Sequence, residues 1–218
     1  MSFMKAVIVP VTPFQQNCSV IWCEKTMKGA VVDPGGEVDR ILATAQSQGV
    51  EIEKILLTHG HLDHCCAARI LADRLGVPLE GPHKEDAFWI NRLAEDCAKY
   101  NFPPTTPFVP DRWLEEGETV TVGDCVLDVY HCPGHTPGHI VFHDKEGGIA
   151  WVGDVLFNGS VGRSDFPRGD GPQLIQSIVD KLWPLGNDTV FVPGHGPYST
   201  FGEERQSNPY VADRVLGS

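Results

Sequence analysis

The sequence lacks the long apolar runs and the excess of positive charge that mark membrane-spanning and nucleic-acid-binding proteins. No apolar segment approaches the roughly 18–20 residues that a transmembrane helix needs, so we expect no membrane partner. Asp and Glu number 29 against 17 Lys and Arg, which gives a formal net charge of −12. This balance repels a phosphate backbone and predicts that nucleic acid is not a partner.

Motifs for phosphate binding and for a nucleophilic serine are also missing, and no CxxC pair occurs among the seven cysteines. Without GxxxxGK[ST], GxGxxG or GxSxG, nucleotide-binding and serine-hydrolase functions have no support. The cysteine pattern favours reduced thiols, and the first ten residues lack the apolar length of a signal peptide. We therefore expect a cytoplasmic protein in which the adjacent Cys65 and Cys66 are small apolar core residues.

The composition that is present is typical of a globular protein, with 41% hydrophobic and 21% charged residues. A chain of 218 residues buries about 70% of its unfolded surface, which is enough for a core without disulfide bonds. We expect one domain over residues 1–218. The sequence leaves the oligomeric state unknown.

Short segments rich in Val and Ile alternate with segments of helical periodicity, which predicts a layered α/β protein. Helices are predicted at Val38–Ala45, Ala67–Leu75, Lys84–Lys99 and Gln173–Trp183. The first two stop at Gly49 and Gly76, and the four-proline segment Tyr100–Asp111 is predicted to be a loop. Strands are predicted at Lys5–Val11, Ser19–Cys23, Ala30–Asp33, Lys54–Leu57, Val126–Tyr130, Ile140–His143, Ile149–Val152 and Thr189–Val192.

Residue types that bind metals follow four of these strands. Ligands in layered α/β folds gather beyond strand ends, and Pro or Gly beside most of these positions favours tight turns. The side chains concerned are His59, His61, Asp63, His64, His135, Asp154 and His195. Seven ligands exceed what one tetrahedral ion uses, so the set predicts two divalent ions.

The segment His59–His64 is the strongest of these signals. His59 and His61 project to one side of an extended backbone, and Asp63 follows where the chain turns into a helix. Imidazole and carboxylate suit zinc, with iron or manganese as alternatives. The other interpretation of Asp63 is a helix N-cap.

The remaining histidines carry weaker signals. His83, His131 and His143 are interpreted as structural or surface residues, because an isolated histidine usually has such a role. For His139 two interpretations stay open, support of the metal ligands or a plain structural use.

Four motifs resemble those of the metallo-β-lactamase superfamily: His59-Gly60-His61-Leu62-Asp63-His64, Pro133-Gly134-His135-Thr136, Gly153-Asp154 and Pro193-Gly194-His195-Gly196. Within the superfamily the chain is most similar to the short bacterial hydroxyacylglutathione hydrolases of the glyoxalase II type. The resemblance implies an αββα sandwich, two mixed sheets flanked by helices. It assigns His59, His61 and His135 to one metal ion, Asp63, His64 and His195 to a second, and Asp154 to both.

The resemblance further implies hydrolysis of an anionic thioester of the S-acylglutathione type, such as S-lactoylglutathione. A hydroxide that bridges two ions, most simply zinc, is the expected nucleophile, and Asp63 the expected proton acceptor. Arg163 stands where larger members carry a lysine, and is expected to bind the substrate. Those members have a tyrosine where this chain has Asp165, and an ion pair of Arg163 with Asp165 or Asp170 is the alternative.

Two other functions stay open. The segment Gly162-Arg163-Ser164-Asp165-Phe166 is also similar to iron-dependent glutathione persulfide dioxygenases, which use one iron. A non-catalytic metal-binding protein would have a closed coordination site, whereas seven ligands for two ions leave positions open to water.

Overall fold

The computed structural model describes residues 3–217. Helix, sheet, sheet and helix follow one another as four layers, which confirms the αββα sandwich that the sequence resemblance implies. Within residues 3–217, no helix combines the length and the apolar character that crossing a bilayer requires.

The first sheet contains strands in chain order: β1 (Met4–Val11), β2 (Gln16–Cys23), β3 (Lys28–Val32), β4 (Glu51–Leu56) and β5 (Leu79–Glu80). Pairing is antiparallel from β1 to β3 and parallel from β3 to β5. Strands β2 and β3 are buried along most of their length, because helices cover one face of this sheet and the second sheet covers the other.

The second sheet is formed by later strands: β6 (Thr119–Val122), β7 (Cys125–His131), β8 (Ile140–Asp144), β9 (Ile149–Gly153), β12 (Val190–Pro193) and β13 (Ser199–Thr200). Their order is β13-β12-β9-β8-β7-β6, and only the β9–β12 pair of this described sheet is parallel. Strands β10 (Leu156–Phe157) and β11 (Ser160–Val161) form a separate hairpin. The core between the sheets brings Ile21 and Val32 of the first sheet together with Phe142 and Trp151 of the second.

Helices flank both sheets. Those of the first half are α1 (Val38–Ser47), α2 (Leu62–Cys65), α3 (Ala68–Leu75), α4 (Ala87–Ile90) and α5 (Leu93–Lys99), and those of the second are α6 (Gly171–Ser177), α7 (Phe201–Ser207) and α8 (Asp213–Leu216). Helix α3 ends at Gly76, whose φ of 67° is the left-handed conformation that closes many helices. Cys65 and Cys66 are buried, as the sequence predicts.

All eight predicted strands are present with ends shifted by a few residues, and Tyr100–Asp111 contains neither helix nor strand. The predicted helix Lys84–Lys99 is instead a 3₁₀ turn (Lys84–Asp86) followed by α4 and α5. The interruption between α4 and α5 lies at Asn91 and Arg92. The 3₁₀ turn ends at Asp86, whose buried carboxylate accepts backbone hydrogen bonds from other loops. The predicted helix Gln173–Trp183 begins earlier, because the Asp170 side chain caps it, and ends in π and 3₁₀ turns.

Candidate metal centre

The seven side chains singled out from the sequence converge at one edge of the sandwich, where both sheets contribute strand ends. The segment after β4 supplies two histidines, α2 supplies a carboxylate and a histidine, and the turns after β7, β9 and β12 supply one ligand each. Three of the strand ends belong to the second sheet and one to the first. The site therefore forms only when the two sheets pack together.

One cluster consists of His59, His61 and His135. One ring nitrogen from each lies within 4.8 Å of the others, and Nδ1 of His61 is 2.9 Å from Nε2 of His135. Burial lowers the pKa of all three rings below its usual value. The rings are therefore neutral at pH 7, as metal binding requires.

A second cluster consists of Asp63, His64 and His195, whose ligand atoms again lie within 4.8 Å of one another. Oδ2 of Asp63 is 3.1 Å from Nε2 of His195 and 3.7 Å from Nε2 of His64. Asp63 lies in the first turn of α2, and the N-cap position belongs to His61. The N-cap interpretation of Asp63 is therefore wrong.

Asp154 lies between the two clusters. Its Oδ1 is 3.3 Å from Nε2 of His64, and its Oδ2 is 3.6 Å from Nε2 of His135. Burial raises the pKa of this carboxyl, but the His64, His135 and His195 rings hold the pKa well below its usual range. Oδ2 is also 3.7 Å from Nε2 of His195. Asp154 is thus an ionised carboxylate in contact with histidines of both clusters.

The absence of a side chain at Gly194 leaves the space that the Asp154 carboxylate occupies. A Cβ at position 194 would lie 2.0 Å from Oδ1 of Asp154 and 2.6 Å from Cε1 of His64. Only glycine fits between these two side chains, which explains the Pro193-Gly194-His195 sequence in physical terms.

The polar atoms of the site fit divalent cations. Nε2 of His59 and Nε2 of His61 are buried without a hydrogen-bond partner within residues 3–217. A buried polar atom without a hydrogen-bond partner lowers the stability of the fold. A bound metal ion removes this penalty, because a neutral imidazole nitrogen donates its lone pair to the ion. The histidine and carboxylate donor set around Asp154 thus suits two metal ions.

Asp33 supports the site, and the sequence analysis missed it. Its carboxylate accepts hydrogen bonds from the Thr58 backbone N–H (2.7 Å) and hydroxyl (2.6 Å), and lies 2.9 Å from Nδ1 of His64. It therefore fixes the orientation of the His64 ring. The signal was present, because Asp33-Pro34-Gly35 follows a buried strand just as the ligand turns do.

Asp86 is the second missed residue. Its buried carboxylate accepts hydrogen bonds from the Gly60 N–H (2.8 Å), the Gly138 N–H (2.6 Å) and the Thr136 hydroxyl (2.8 Å). It thereby joins the two histidine-bearing turns, and burial raises its pKa to about 6. Asp86 lies within the predicted helix Lys84–Lys99, and no sequence pattern distinguishes it there from an exposed helical aspartate.

His139 lies directly behind the ligands. Its Nε2 accepts the backbone N–H of Asp154 at 3.0 Å, and its ring stacks on His59 at a centroid distance of 4.5 Å. These contacts favour the supporting role for His139. His83 and His131 stack on each other instead, at 4.2 Å, outside both clusters.

A cavity of about 570 Å³ opens onto the clusters and is lined by Arg163 among others. The Arg163 guanidinium forms two hydrogen bonds of 2.9 Å with Asp165 and lies 4.5 Å above the Phe166 ring. Its backbone carbonyl accepts a hydrogen bond from Nδ1 of His135 at 2.6 Å. The ion pair considered in the sequence analysis therefore exists, on a side chain that also faces the cavity.

Comparisons with known proteins agree with this geometry. Hydroxyacylglutathione hydrolase GloC of Haemophilus influenzae is 44% identical over 95% of this chain and 98% of its own length. The crystal structure of the B3 metallo-beta-lactamase BLEG-1 superposes with a TM-score of 0.87 at 31% identity, over 95% of this chain and 99% of that one. The crystal structure of TTHA1623 in a di-iron-bound form superposes with a TM-score of 0.84 at 36% identity, over 94% of this chain and 99% of that one.

The model of the metallo-beta-lactamase superfamily matches residues 11–195, a range that contains both clusters and Asp154. The chain is therefore a metallo-hydrolase that belongs to the metallo-β-lactamase superfamily.

Proposed function

We propose that the protein hydrolyses the thioester bond of an S-acylglutathione, such as S-lactoylglutathione. The observation that carries the proposal is Asp154, whose carboxylate lies within 4 Å of histidines of two clusters that each suit one metal ion. The 44% identity to a hydroxyacylglutathione hydrolase over nearly the full length of both chains supports the thioester as substrate.

In this proposal His59, His61 and His135 hold the first ion, Asp63, His64 and His195 hold the second, and Asp154 holds both. Zinc is the proposed metal, with iron and manganese as alternatives. The similarity to a di-iron protein supports iron as one of these alternatives. Two such ions would supply a hydroxide nucleophile at neutral pH and a positive charge for the oxyanion that develops.

Asp63 is the proposed proton acceptor. Its carboxylate lines the cavity beside His195, so it lies on the side of the metal centre from which a substrate would enter. The described residues that line the cavity include no serine, threonine or cysteine, which favours attack by water over a covalent acyl-enzyme. A thiolate leaves readily, so the leaving group needs no protonated side chain.

The cavity suits an anionic thioester with an apolar portion. Arg92, Lys99 and Arg163 bring positive charge to its wall in a chain of net charge −12. Trp89 and Phe166 give it apolar surface. We propose that Arg163 binds a carboxylate of the glutathione moiety, for which its planar guanidinium is suited.

We further propose that residues 1–218 act as one domain in the cytoplasm, where glutathione thioesters occur and thiols stay reduced. The substrate is a small molecule, and neither nucleic acid nor a membrane is part of the proposal.

Metal analysis run beside two activity assays tests the function. Protein produced without added metal is analysed by mass spectrometry and assayed with S-lactoylglutathione and, for oxygen uptake, with glutathione persulfide. We expect close to two ions per chain and thioester hydrolysis. One iron per chain with oxygen uptake would instead identify a persulfide dioxygenase, and bound metal without turnover of either substrate would contradict both assignments.

A further inference from the structure

One helix face on the wall of the cavity carries charges of both signs that metal binding and hydrolysis do not use. Arg92, Asp96 and Lys99 all line the cavity. Arg92 directly precedes α5 and the other two belong to it, at spacings of four and three residues that place them on one face. Trp89, just before them, brings this face to the metal centre, because its ring lies 4.5 Å from the ring of His61.

Asp96 is a buried carboxylate on this face. It is 8% exposed and accepts no hydrogen bond within residues 3–217. Nη2 of Arg92 lies 3.7 Å from its Oδ1, which is too far for a hydrogen bond. Glu95 lies in the same first turn of α5, where the helix dipole favours a carboxylate, yet it is exposed. Burial of Asp96 is therefore unfavourable unless a cationic group in the cavity compensates for it.

Two cations flank this carboxylate, one helical turn to either side. Nε of Arg92 is buried without a hydrogen-bond partner among the described residues. Nζ of Lys99 lies 5.1 Å from the centre of the Tyr100 ring and forms no ion pair within residues 3–217. Lys99 is exposed and lines the cavity, so its ammonium group is accessible to a ligand there.

A carboxylate and a cation at this spacing match the zwitterionic head of an α-amino acid. The ammonium group of the head donates hydrogen bonds to a carboxylate such as Asp96, while its carboxylate accepts them from a cation such as Lys99. A purely anionic head, such as the phosphates of coenzyme A, would be repelled by Asp96. The γ-glutamyl end of an S-acylglutathione is a zwitterionic head of the required kind.

The length of the helical segment agrees with the length of such a ligand. Seven residues separate Trp89, beside the first cluster, from Asp96, which corresponds to about 10 Å of helical rise. In an S-acylglutathione eight bonds separate the thioester sulfur from the γ-glutamyl nitrogen, about 10 Å when extended. A substrate with its thioester at the metal centre can therefore reach Asp96 with its ammonium group.

We propose that Asp96 and Lys99 form a subsite for an α-amino-acid head on the thiol carrier, with Asp96 on the ammonium group and Lys99 on the α-carboxylate. The inference rests on the proposed thioester hydrolysis and narrows its substrates to thioesters whose thiol carries a zwitterionic end. Arg163 then binds the other carboxylate of glutathione. The two ends of the carrier are thus recognised by different elements of the fold.

Binding of S-methylglutathione, a thioether that thioester hydrolysis leaves intact, tests the subsite independently of turnover. Isothermal titration calorimetry on zinc-loaded full-length protein compares it with S-methyl-glutarylcysteinylglycine, which lacks only the α-amino group. We expect the unaltered protein to bind the glutathione derivative about tenfold more tightly. Asp96→Asn should lose this preference without weaker binding of the glutaryl derivative, and Lys99→Gln should weaken both ligands by a similar factor.

The matched control is Glu95→Gln, at the exposed position beside Asp96, which should bind both ligands as the unaltered protein does. A structural defect would weaken both ligands, whereas loss of an ammonium contact weakens only the glutathione derivative. Equal affinity of the unaltered protein for the two ligands would overturn the proposal. A preference that survives in Asp96→Asn, or equal weakening of both ligands in that variant, would also overturn it.

Turnover of S-lactoylglutathione by the same samples separates this inference from the proposed function. The expected binding pattern without hydrolysis would support the subsite and contradict the thioesterase activity. Hydrolysis without any preference for the ammonium group would support the activity and overturn the subsite.

Discussion

At the residue scale, the site depends on carboxylates with different tasks. Asp154 faces both histidine clusters, Asp63 faces the cavity beside His195, and Asp33 orients the His64 ring from behind. Each carboxylate is held by neighbours that belong to other elements of the fold. Removal of one such group should therefore change metal binding or turnover in a way that identifies its task.

Arg163 is the residue whose role is most easily separated from the chemistry. A contact to a glutathione carboxylate lies far from the thioester and is similar in ground and transition states. Arg163→Ala should therefore raise KM about tenfold, equivalent to about 1.4 kcal/mol, with kcat nearly unchanged.

The control for this variant is Arg168→Ala, since Arg168 also lies over an aromatic ring, Phe88, but does not line the cavity. Steady-state kinetics of both variants give the answer. An unchanged KM in Arg163→Ala would show that Arg163 does not bind the substrate and only forms its exposed ion pair with Asp165. A loss of kcat with the metal content unchanged would show that Arg163 takes part in the catalytic step.

At the element scale, the turn that carries His59 and His61 and the turn that carries His135 are joined through Asp86. Asp86→Ala leaves two backbone N–H groups and the Thr136 hydroxyl without their buried acceptor. We expect the free energy of unfolding to fall by about 3 kcal/mol and metal affinity to fall about 10–100-fold.

Chemical denaturation and a competitive chelator titration measure the two effects, and Glu85→Ala is the control at the exposed neighbouring position. Equal metal affinity in Asp86→Ala and Glu85→Ala would show that the two turns hold their shape without this carboxylate.

The sequence predicted elements that have strong local signals. Periodicity and glycine stops located α1 and α3, and apolar segments located the eight main strands. Strands such as β5 and β13 have only two residues, too few for any period, and they exist because neighbouring strands pair with them. Asp86 was missed for the same reason, since only tertiary packing brings Gly60 and Gly138 to its carboxylate.

At the scale of the whole molecule, the metal site belongs to both sheets, and the two clusters differ in how they respond to acid. Burial lowers the pKa of the first-cluster rings, including His59 and His61. For His64 and His195 burial also acts downward, but Asp63 and Asp154 outweigh it and raise the pKa. Protons therefore compete with metal at the second cluster first as pH falls.

Dialysis of loaded protein from pH 8 to pH 5, followed by metal analysis at each step, should show two ions per chain, then a plateau near one, then none. The ion that remains on the plateau should be lost in His61→Ala. Simultaneous release of both ions would show that the clusters do not differ in this way.

The central claim is that two ions sharing Asp154 perform the hydrolysis, and a metal titration of turnover tests it most directly. Protein stripped by a chelator, with metal loss confirmed, receives zinc in steps while S-lactoylglutathione hydrolysis is measured. We expect no turnover without metal, a rise that follows the second equivalent and levels off at two, and no recovery in Asp154→Ala at the same zinc concentrations. Full turnover in stripped protein, or normal turnover with two ions bound in Asp154→Ala, would contradict the account.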